Sequence, residues 1–289
     1  MTEDPFVDHR SLLFTVAYEM LGSAADAEDV VQETWLRWSD VDRDTVADPR
    51  AYLVTIVTRQ ALNRLRSLSR RREDYVGEWL PEPLLTSPDV ADDVELAESV
   101  SIAMLTVLET LTPTERAVFV LREVFDLSYA EIASALGKSA ATVRQIGHRA
   151  RNHVAARRPR VQVDRAEQQA VTERFLAAVA GGDIDALLAA LAPDVVLIAD
   201  GGGIVTAARK PVTGALAVAR LLSGLSRFQP NAVVETGIIN GGIGGRVVVD
   251  GRLDTAVEVI VENGVITRIY AIRNPEKLER FAHEVRLNR

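Results

Sequence analysis

The spacing of the apolar residues changes once along this chain, and the change separates a helical part from a mixed part. From about residue 6 to residue 157 the apolar residues recur at helical intervals. After residue 163 one helix-like stretch is followed by β-rich sequence with the hairpin dipeptides Asn240-Gly241, Asp250-Gly251 and Asn263-Gly264. Helices followed by such a strand meander predict an α+β cone, in which a curved sheet encloses a pocket.

An acidic, proline-containing segment divides the helical part. Residues 79–93 read WLPEPLLTSPDVADD, a composition typical of an extended linker. The 289 residues are enough for two or three domains. We therefore expect a first helical domain at 1–73, a linker at 74–94, a second helical domain at 95–158 and a mixed domain at 159–289.

The charge distribution points to nucleic acid. The net charge is −8, yet residues 50–72 and 132–163 each hold seven Lys or Arg residues and no carboxylate. Residues 73–115, between them, contain no basic residue. Because the average field of an acidic protein repels nucleic acid, binding must come from local patches of one sign. Two such patches indicate a polymer that is held at two places.

The first basic patch is predicted to be one face of a helix from about residue 50 to residue 70. Its core-facing positions are Leu53, Val57, Ala61, Leu65 and Leu68. On the opposite side lies a stripe that we call the arginine stripe, Arg59, Asn63, Arg66 and Arg70. Arginines and an amide in register, without a carboxylate nearby, suit a phosphate backbone and base edges. A merely solvated face is the alternative, although such faces usually mix charges of both signs.

The second basic patch is predicted to belong to a helix-turn-helix. Thr112–Glu115 and Ser128–Glu131 are capping boxes, Gly137 can end the short helix that follows the second box, and Ser139 can cap the next helix. That last helix should bury Val143, Ile146, Ala150 and Val154. It should expose Arg144, Gln145, His148, Arg149, Arg151 and Asn152. This is the geometry for insertion into a major groove, although helical hairpins also occur in proteins that do not bind DNA.

A further helix, preceded by Ser23 as N-cap, has two distinct faces. One face, predicted to be buried, holds Ala27, Val30, Val31, Thr34, Trp35 and Trp38. The other, which we call the docking face, holds Asp29, Gln32, Glu33 and Leu36. The docking face is either a solvated surface or an acidic surface for a basic partner helix, with Leu36 as its apolar anchor.

Composition excludes several other classes. The chain has no Cys and only four scattered His residues, so disulfides and Cys- or His-rich metal sites are not expected, and we predict no cofactor. The first residues are acidic and do not resemble a signal peptide. The apolar runs are far shorter than the roughly 20 residues of a membrane span. These features predict a cytoplasmic protein that does not bind membranes.

Two segments carry a resemblance to a known family. DAEDVVQETWLRW at 26–38 and LTPTERAVFVLREVFDLSYAEIASALGKSAATVRQIGHRAR at 111–151, with the Arg-rich helix between them, resemble bacterial extracytoplasmic-function sigma factors. The resemblance implies that the docking face binds core RNA polymerase and that the arginine stripe reads the −10 promoter element. It also implies that the −35 element is read by Arg144, Gln145, His148, Arg149 and Arg151.

The rest of the chain resembles one subgroup, which has a fused C-terminal SnoaL-like domain. WLPEP at 79–83, DGGG at 200–203 and NPEKL at 274–278 carry this similarity, although Ile204 stands where the group usually has Lys. It implies two all-α sigma domains followed by a SnoaL-like, ketosteroid-isomerase-like cone that regulates them in cis, without a separate anti-sigma factor. The implied regulatory residues are Trp79, Leu80, Pro81, Glu82, Pro83, Asp200, Gly201, Gly202, Gly203, Asn274 and Pro275.

Two other functions remain to be weighed against a sigma factor. A ligand-responsive helix-turn-helix regulator would bind duplex DNA alone and would not need the docking face. A SnoaL-like enzyme with a DNA-binding appendage would need a general base, for which Asp200 or Glu258 is the candidate. The third domain has no Cys, and its only His, His283, lies beyond the strand meander. We therefore expect no catalysis, and a small-molecule ligand in the pocket is an open possibility.

Overall fold

A computed structural model describes residues 4–72, 75–157, 165–228, 231–281 and 284–288, without the side chains of residues 69–72 and 225–228. The first domain contains α1 (Pro5–Leu21), α2 (Ala24–Ser39) and α3 (Pro49–Arg72), with a 3-10 turn at Arg43–Thr45. Ser23 caps α2 by accepting a hydrogen bond from the amide of Asp26, as the sequence predicted. Trp35, predicted to be buried, is 44% exposed, so that prediction was wrong.

The linker is more regular than an extended chain. It contains the short strand β1 (Leu85–Thr86) and the short helix α4 (Pro88–Asp92). Strand β1 pairs with a strand of the third domain, so the linker forms part of that domain's sheet.

The second domain is the predicted helix-turn-helix, preceded by two short helices. Its elements are α5 (Val94–Val100), α6 (Ile102–Leu108), α7 (Pro113–Phe119), a π-helical turn at Val120–Val124, α8 (Tyr129–Leu136) and α9 (Ala140–Ala155). Both capping boxes form with reciprocal hydrogen bonds. Gly137 ends α8 in the left-handed region at φ +62°, and Ser139 caps α9. The predicted caps and the turn are therefore confirmed.

The third domain combines helices with a curved mixed sheet. Its elements are α10 (Arg165–Gly181), α11 (Ile184–Ala190), β2 (Leu191–Asp200), β3 (Val212–Thr213), α12 (Ala215–Phe228), β4 (Ala232–Ile239), β5 (Gly242–Val249), β6 (Arg252–Glu262), β7 (Val265–Ile272), α13 (Pro275–Leu278) and β8 (Glu284–Val285). The strand order is β3-β2-β7-β6-β5-β4-β1-β8. Asn240, Asp250 and Asn263 all have positive φ and are followed by Gly, which confirms the three predicted hairpin turns.

Two of the three apolar clusters connect these units. One runs through both helical domains and includes Leu287, whose neighbour Asn288 donates its backbone N–H to Thr15 of α1. A second fills the third domain between its helices and the sheet. The third joins Leu80 of the linker and Ile102 of α6 to Tyr270 and Phe281 of the third domain. The linker is therefore packed between the domains that it connects.

Candidate nucleic-acid interface and linker docking site

The docking face of α2 is exposed, and α3 positions part of it. All four of its side chains, Asp29, Gln32, Glu33 and Leu36, are exposed, with Leu36 at 53%. Arg64 of α3 forms an ion pair with Asp29 at 3.2 Å, and Gln60 donates to Glu33 at 3.1 Å. Trp35 adds a second large apolar group beside Leu36. The result is a carboxylate-rich surface with an apolar centre, which is suited to a partner with basic and apolar groups.

Three members of the arginine stripe on α3, Arg59, Asn63 and Arg66, are exposed, but Arg59 is bonded to the second domain. Arg59 donates from Nε to the Ala135 carbonyl at 2.7 Å and from Nη2 to the Ser134 carbonyl at 3.0 Å. These carbonyls lie in the last turn of α8, where the helix dipole favours a cation. The Ser134 carbonyl also accepts from the Gly137 amide at 3.4 Å. Arg59 is thus already occupied in this arrangement. The side chain of Arg70 lies outside the described residues.

The outward face of α9 is presented to solvent. Arg144, Gln145, His148, Arg149, Arg151 and Asn152 are exposed, and Val143, Ile146, Ala150 and Val154 are buried, as predicted. Arg151 forms an ion pair with Glu123 at 2.8 Å. The guanidinium of Arg144 lies 5.6 Å from the ring centroid of Tyr129. These contacts orient the basic groups and leave Gln145 and His148 facing outward.

Asp200 is the centre of the contact between the linker and the third domain. Its side chain is fully buried at the end of β2. It accepts hydrogen bonds from the Tyr75 hydroxyl at 2.6 Å, the Leu80 amide at 2.9 Å, the Gly202 amide at 3.0 Å and the Lys277 ammonium at 2.7 Å. Burial and then the bond to Asp200 raise the pKa of Tyr75, which keeps this phenol protonated as a donor.

Lys277 completes the contact from the third domain. This buried ammonium bonds to Asp200 and to the Leu80 carbonyl, and it lies 4.2 Å from the ring centroid of Trp79. The family resemblance implied a regulatory role for Asn274 and Pro275 of the NPEKL segment, but none for its Lys277 and none for Tyr75. Position within the motif could have singled out Lys277, whereas no local pattern distinguishes Tyr75.

The glycines after Asp200 allow close approach to the linker. Gly203 has φ +73°, and a Cβ there would lie 2.9 Å from the Val76 Cβ. Gly202 has φ +62° and lies against the Asn274 side chain, which donates to the Tyr75 hydroxyl at 2.8 Å. A larger residue at Gly203 would therefore push the linker away from the third domain, and one at Gly202 would displace Asn274. Ile204 is 54% exposed beside this contact.

The middle of the linker is bound on both sides. Pro81 and Pro83 are buried, and Glu82 accepts from the Ser23 hydroxyl at 2.9 Å and from the Ala25 amide at 3.0 Å, at the start of α2. Burial raises the pKa of Glu82. Asn240 accepts from the Leu84 amide at 2.8 Å. This turn residue therefore also attaches the linker to the sheet, a role that its hairpin signature did not reveal.

Asn240 also extends this network to the first and second domains. Its Nδ2 group donates to the Tyr18 hydroxyl of α1 and to the Val100 carbonyl of α5, both at 2.7 Å. The Tyr18 hydroxyl in turn donates to the Glu82 carbonyl at 2.7 Å. One buried amide thus connects all three domains and the linker.

The two candidate general bases have structural partners outside the cavity of the third domain. Asp200 holds the linker, and Glu258 accepts from the amides of Ile102 at 3.0 Å and Ala103 at 3.3 Å at the start of α6. Burial raises the pKa of Glu258 to about 7. The carboxylate that does line the cavity, Asp254, forms an ion pair with Arg273 at 2.9 Å. The described residues therefore present no acid–base pair there.

The described part of the chain offers neither a metal-binding cluster nor a membrane-spanning helix. No group of three or more His, Cys, Asp or Glu side chains in that part of the chain could hold a metal ion. Within the same ranges, every helix is too short or too polar to cross a membrane.

Comparison with known proteins identifies the family. The model of Sigma-70 region 2 matches residues 6–71, and that of Sigma-70, region 4 matches residues 101–154. The chain is 39% identical over 282 residues to the ECF RNA polymerase sigma factor SigJ of Mycobacterium tuberculosis, covering 93% of this chain and 90% of that one. The chain belongs to the extracytoplasmic-function RNA polymerase sigma factors.

Further relatives extend the match along the whole sigma factor. The probable ECF RNA polymerase sigma factor SigI of Mycobacterium tuberculosis is 34% identical, with 96% of this chain and 94% of that one covered. The crystal structure of SigJ superposes with a TM-score of 0.76 at 36% identity and covers 94% of this chain and 96% of that chain. The predicted fold class is therefore confirmed, with the third domain included. The match also sets aside the alternatives of a helix-turn-helix regulator and an enzyme.

Proposed function

We propose that this sigma factor binds core RNA polymerase through the docking face of α2. The support is its exposed apolar centre, Leu36 and Trp35, surrounded by the carboxylates of Asp29 and Glu33. Charged residues around such a centre steer association and set its orientation, while apolar groups supply contact area. The salt link from Arg64 to Asp29 fixes part of this surface before binding.

Promoter DNA is bound by two separate surfaces in this proposal. The outward side chains of α9 enter the major groove of the −35 element, where Arg144 and Gln145 reach base edges. The arginine stripe of α3 reads the −10 element. Strand opening rests on α3 and on the loop before it, where an extruded base costs a few kcal/mol, as an order of magnitude.

The third domain controls this activity in cis by holding the linker between the two DNA-binding domains. The observation that carries this proposal is the buried contact of Asp200 with Tyr75, Leu80 and Lys277. While the linker is docked, the distance between the arginine stripe and α9 is set, and Arg59 is bonded to α8 instead of DNA. No separate anti-sigma factor is required for this control.

Run-off transcription with core RNA polymerase tests both parts of the proposal. Adding the protein should yield promoter-specific transcripts. Their absence would refute the proposed binding of core polymerase and promoter DNA. Trp79→Ala and Asp200→Ala should change transcript yield severalfold while core binding stays near wild type. Asp194→Ala is the matched control, since Asp194 lies on the same strand as Asp200 but is exposed. Yields unaffected by both linker-site substitutions would show that the docked linker has no regulatory part.

A further inference from the structure

The third domain encloses a cavity of about 270 Å³ between α10, α12 and the sheet. Its walls are apolar, with Phe175, Leu222, Val234 and Ile269 among them, and its polar lining residues are Thr206, Asp254, Thr255 and Arg273. An apolar cavity of about 150 Å³ is enough for benzene. This cavity is therefore large enough for a ligand of roughly two fused six-membered rings.

The polar end of the cavity carries no net charge. Arg273 donates to both oxygens of Asp254, from Nη2 at 2.9 and 3.0 Å and from Nε at 3.2 Å. Its Nη1 group donates to the Thr206 carbonyl, and the Thr255 hydroxyl donates to Asp254 at 2.7 Å. A charged ligand would bring an uncompensated charge into apolar surroundings, which is strongly unfavourable. A neutral ligand with one hydroxyl or carbonyl group can bind without that cost.

One wall of the cavity is shared with the linker docking site. Ala199 and Thr206–Ala208 line the cavity on one side and, on the other, a groove formed with Val76 and Gly77 of the linker. The backbone amide of Arg273 donates to the Asp200 carbonyl at 2.7 Å, as does that of Asn274 at 2.9 Å. The end of β7 therefore closes the cavity and at the same time holds the residues that bind the linker.

We propose that this cavity binds a neutral, largely apolar small molecule of about two fused rings, and that its binding strengthens the docking of the linker. The direction follows from the shared wall: release of the linker that displaces Ala199 or Thr206–Ala208 changes the shape of the cavity, so a ligand that fits the cavity of the docked arrangement binds that arrangement more tightly. A regulatory effect on transcription rests on the function proposed above, whereas binding and its coupling to the linker do not.

Binding is tested on the full chain with two probes of matched size, neutral 2-naphthol and the anion 2-naphthoate, by calorimetry. Val234→Trp fills the cavity, and Val233→Trp is its matched control, since Val233 is the neighbouring residue of β4 and is 55% exposed. We expect 2-naphthol to bind the wild type and Val233→Trp, and to bind Val234→Trp at least tenfold more weakly. Methyl NMR of the wild type should locate the probe at Val234 and Ile269, even if the filled variant does not fold.

Coupling is tested by amide hydrogen exchange of Leu80, whose N–H donates to Asp200. At a 2-naphthol concentration of ten times Kd, exchange should slow by up to about elevenfold. Equal affinity for the two probes, or no binding of 2-naphthol, would overturn the proposed ligand class. Binding without slower exchange would overturn the coupling. Neither result depends on polymerase or promoter, so failure here is distinct from failure of the proposed function.

Discussion

Replacing Asp200 by Asn should release the linker, because either orientation of the Asn side-chain amide places its NH₂ group against groups that themselves donate hydrogen bonds. One carboxylate oxygen accepts from Tyr75 and Gly202, and the other accepts from Leu80 and Lys277. Asn presents only one acceptor oxygen, and its NH₂ group must face one of these two pairs of donors. The substitution also leaves the buried ammonium of Lys277 without its counter-charge. Breaking a buried ion pair in this way costs about 3–5 kcal/mol.

Hydrogen exchange at the Leu80 amide measures this cost as local opening. Since 1.36 kcal/mol corresponds to a factor of ten, the Asp200→Asn variant should exchange roughly 150-fold to several thousand-fold faster. Asp194→Asn, on the exposed side of the same strand, should change stability by less than about 0.5 kcal/mol. The double variant Asp200→Asn with Lys277→Met removes both charges. Its cost should fall below the sum of the two single costs by about 1–3 kcal/mol.

Two results would refute this reasoning. Exchange accelerated less than tenfold in Asp200→Asn would mean that the carboxylate does not hold the linker. Additive costs in the double variant would mean that Asp200 and Lys277 act independently, in contrast to the ion pair in the structure. The transcription assay on the same variants then shows whether linker release reaches promoter output.

The remaining predictions address Glu258, the docking face and the two DNA-binding surfaces. Burial raises the pKa of the Glu258 carboxyl from 4.5 to about 7, so protonated Glu258 stabilises the fold below pH 4.5. This contribution to the free energy of unfolding, about 3 kcal/mol, is lost as the pH rises through 7. Glu258→Gln should therefore flatten the dependence of the unfolding free energy on pH, and an unchanged pH dependence would contradict this prediction. The double variant Asp29→Arg with Glu33→Arg should no longer co-purify with core polymerase, while its helix content stays unchanged. Co-purification at the wild-type yield would exclude the docking face as the polymerase-binding surface. Arg144→Ala should weaken the binding free energy for the −35 element by roughly 1–3 kcal/mol, whereas Arg59→Ala should impair −10 recognition and strand opening. Identical permanganate footprints for both variants would contradict this assignment of the two surfaces to the two promoter elements.

The features that could be predicted are those encoded within a few neighbouring residues. Capping boxes, hairpin dipeptides and the two faces of α9 each depend on local hydrogen bonds or on helical spacing, and the structure has them as predicted. Trp35 was misplaced because it lies roughly 80° from Ala27 at 100° per residue, at the edge of the buried arc. A residue at the edge of the buried arc is exposed or buried according to which other elements pack beside it, and the helical spacing of the sequence does not specify those elements.

The contacts between domains could not be predicted from the residues alone. Arg59 bonds to carbonyls about 75 positions away, and the segment that contains Leu287 returns to α1 at the opposite end of the chain. Backbone carbonyls carry no side-chain signature, and β1 is a two-residue strand without a measurable alternation. The WLPEP, DGGG and NPEKL segments were identified only through resemblance, because nothing in their spacing indicates that they meet.

The linker contact combines attraction with a strict requirement for register. Leu80, Tyr270 and Phe281 supply apolar burial, which is tolerant of small displacements. The network around Asp200 and Lys277 is not tolerant, because a shift of one residue would leave buried charges and amides without partners. The linker therefore docks in one register or not at all, and intermediate positions are unfavourable. On the proposed function, the linker is docked or released as a unit, which makes the third domain a two-state control of the separation between the DNA-binding surfaces.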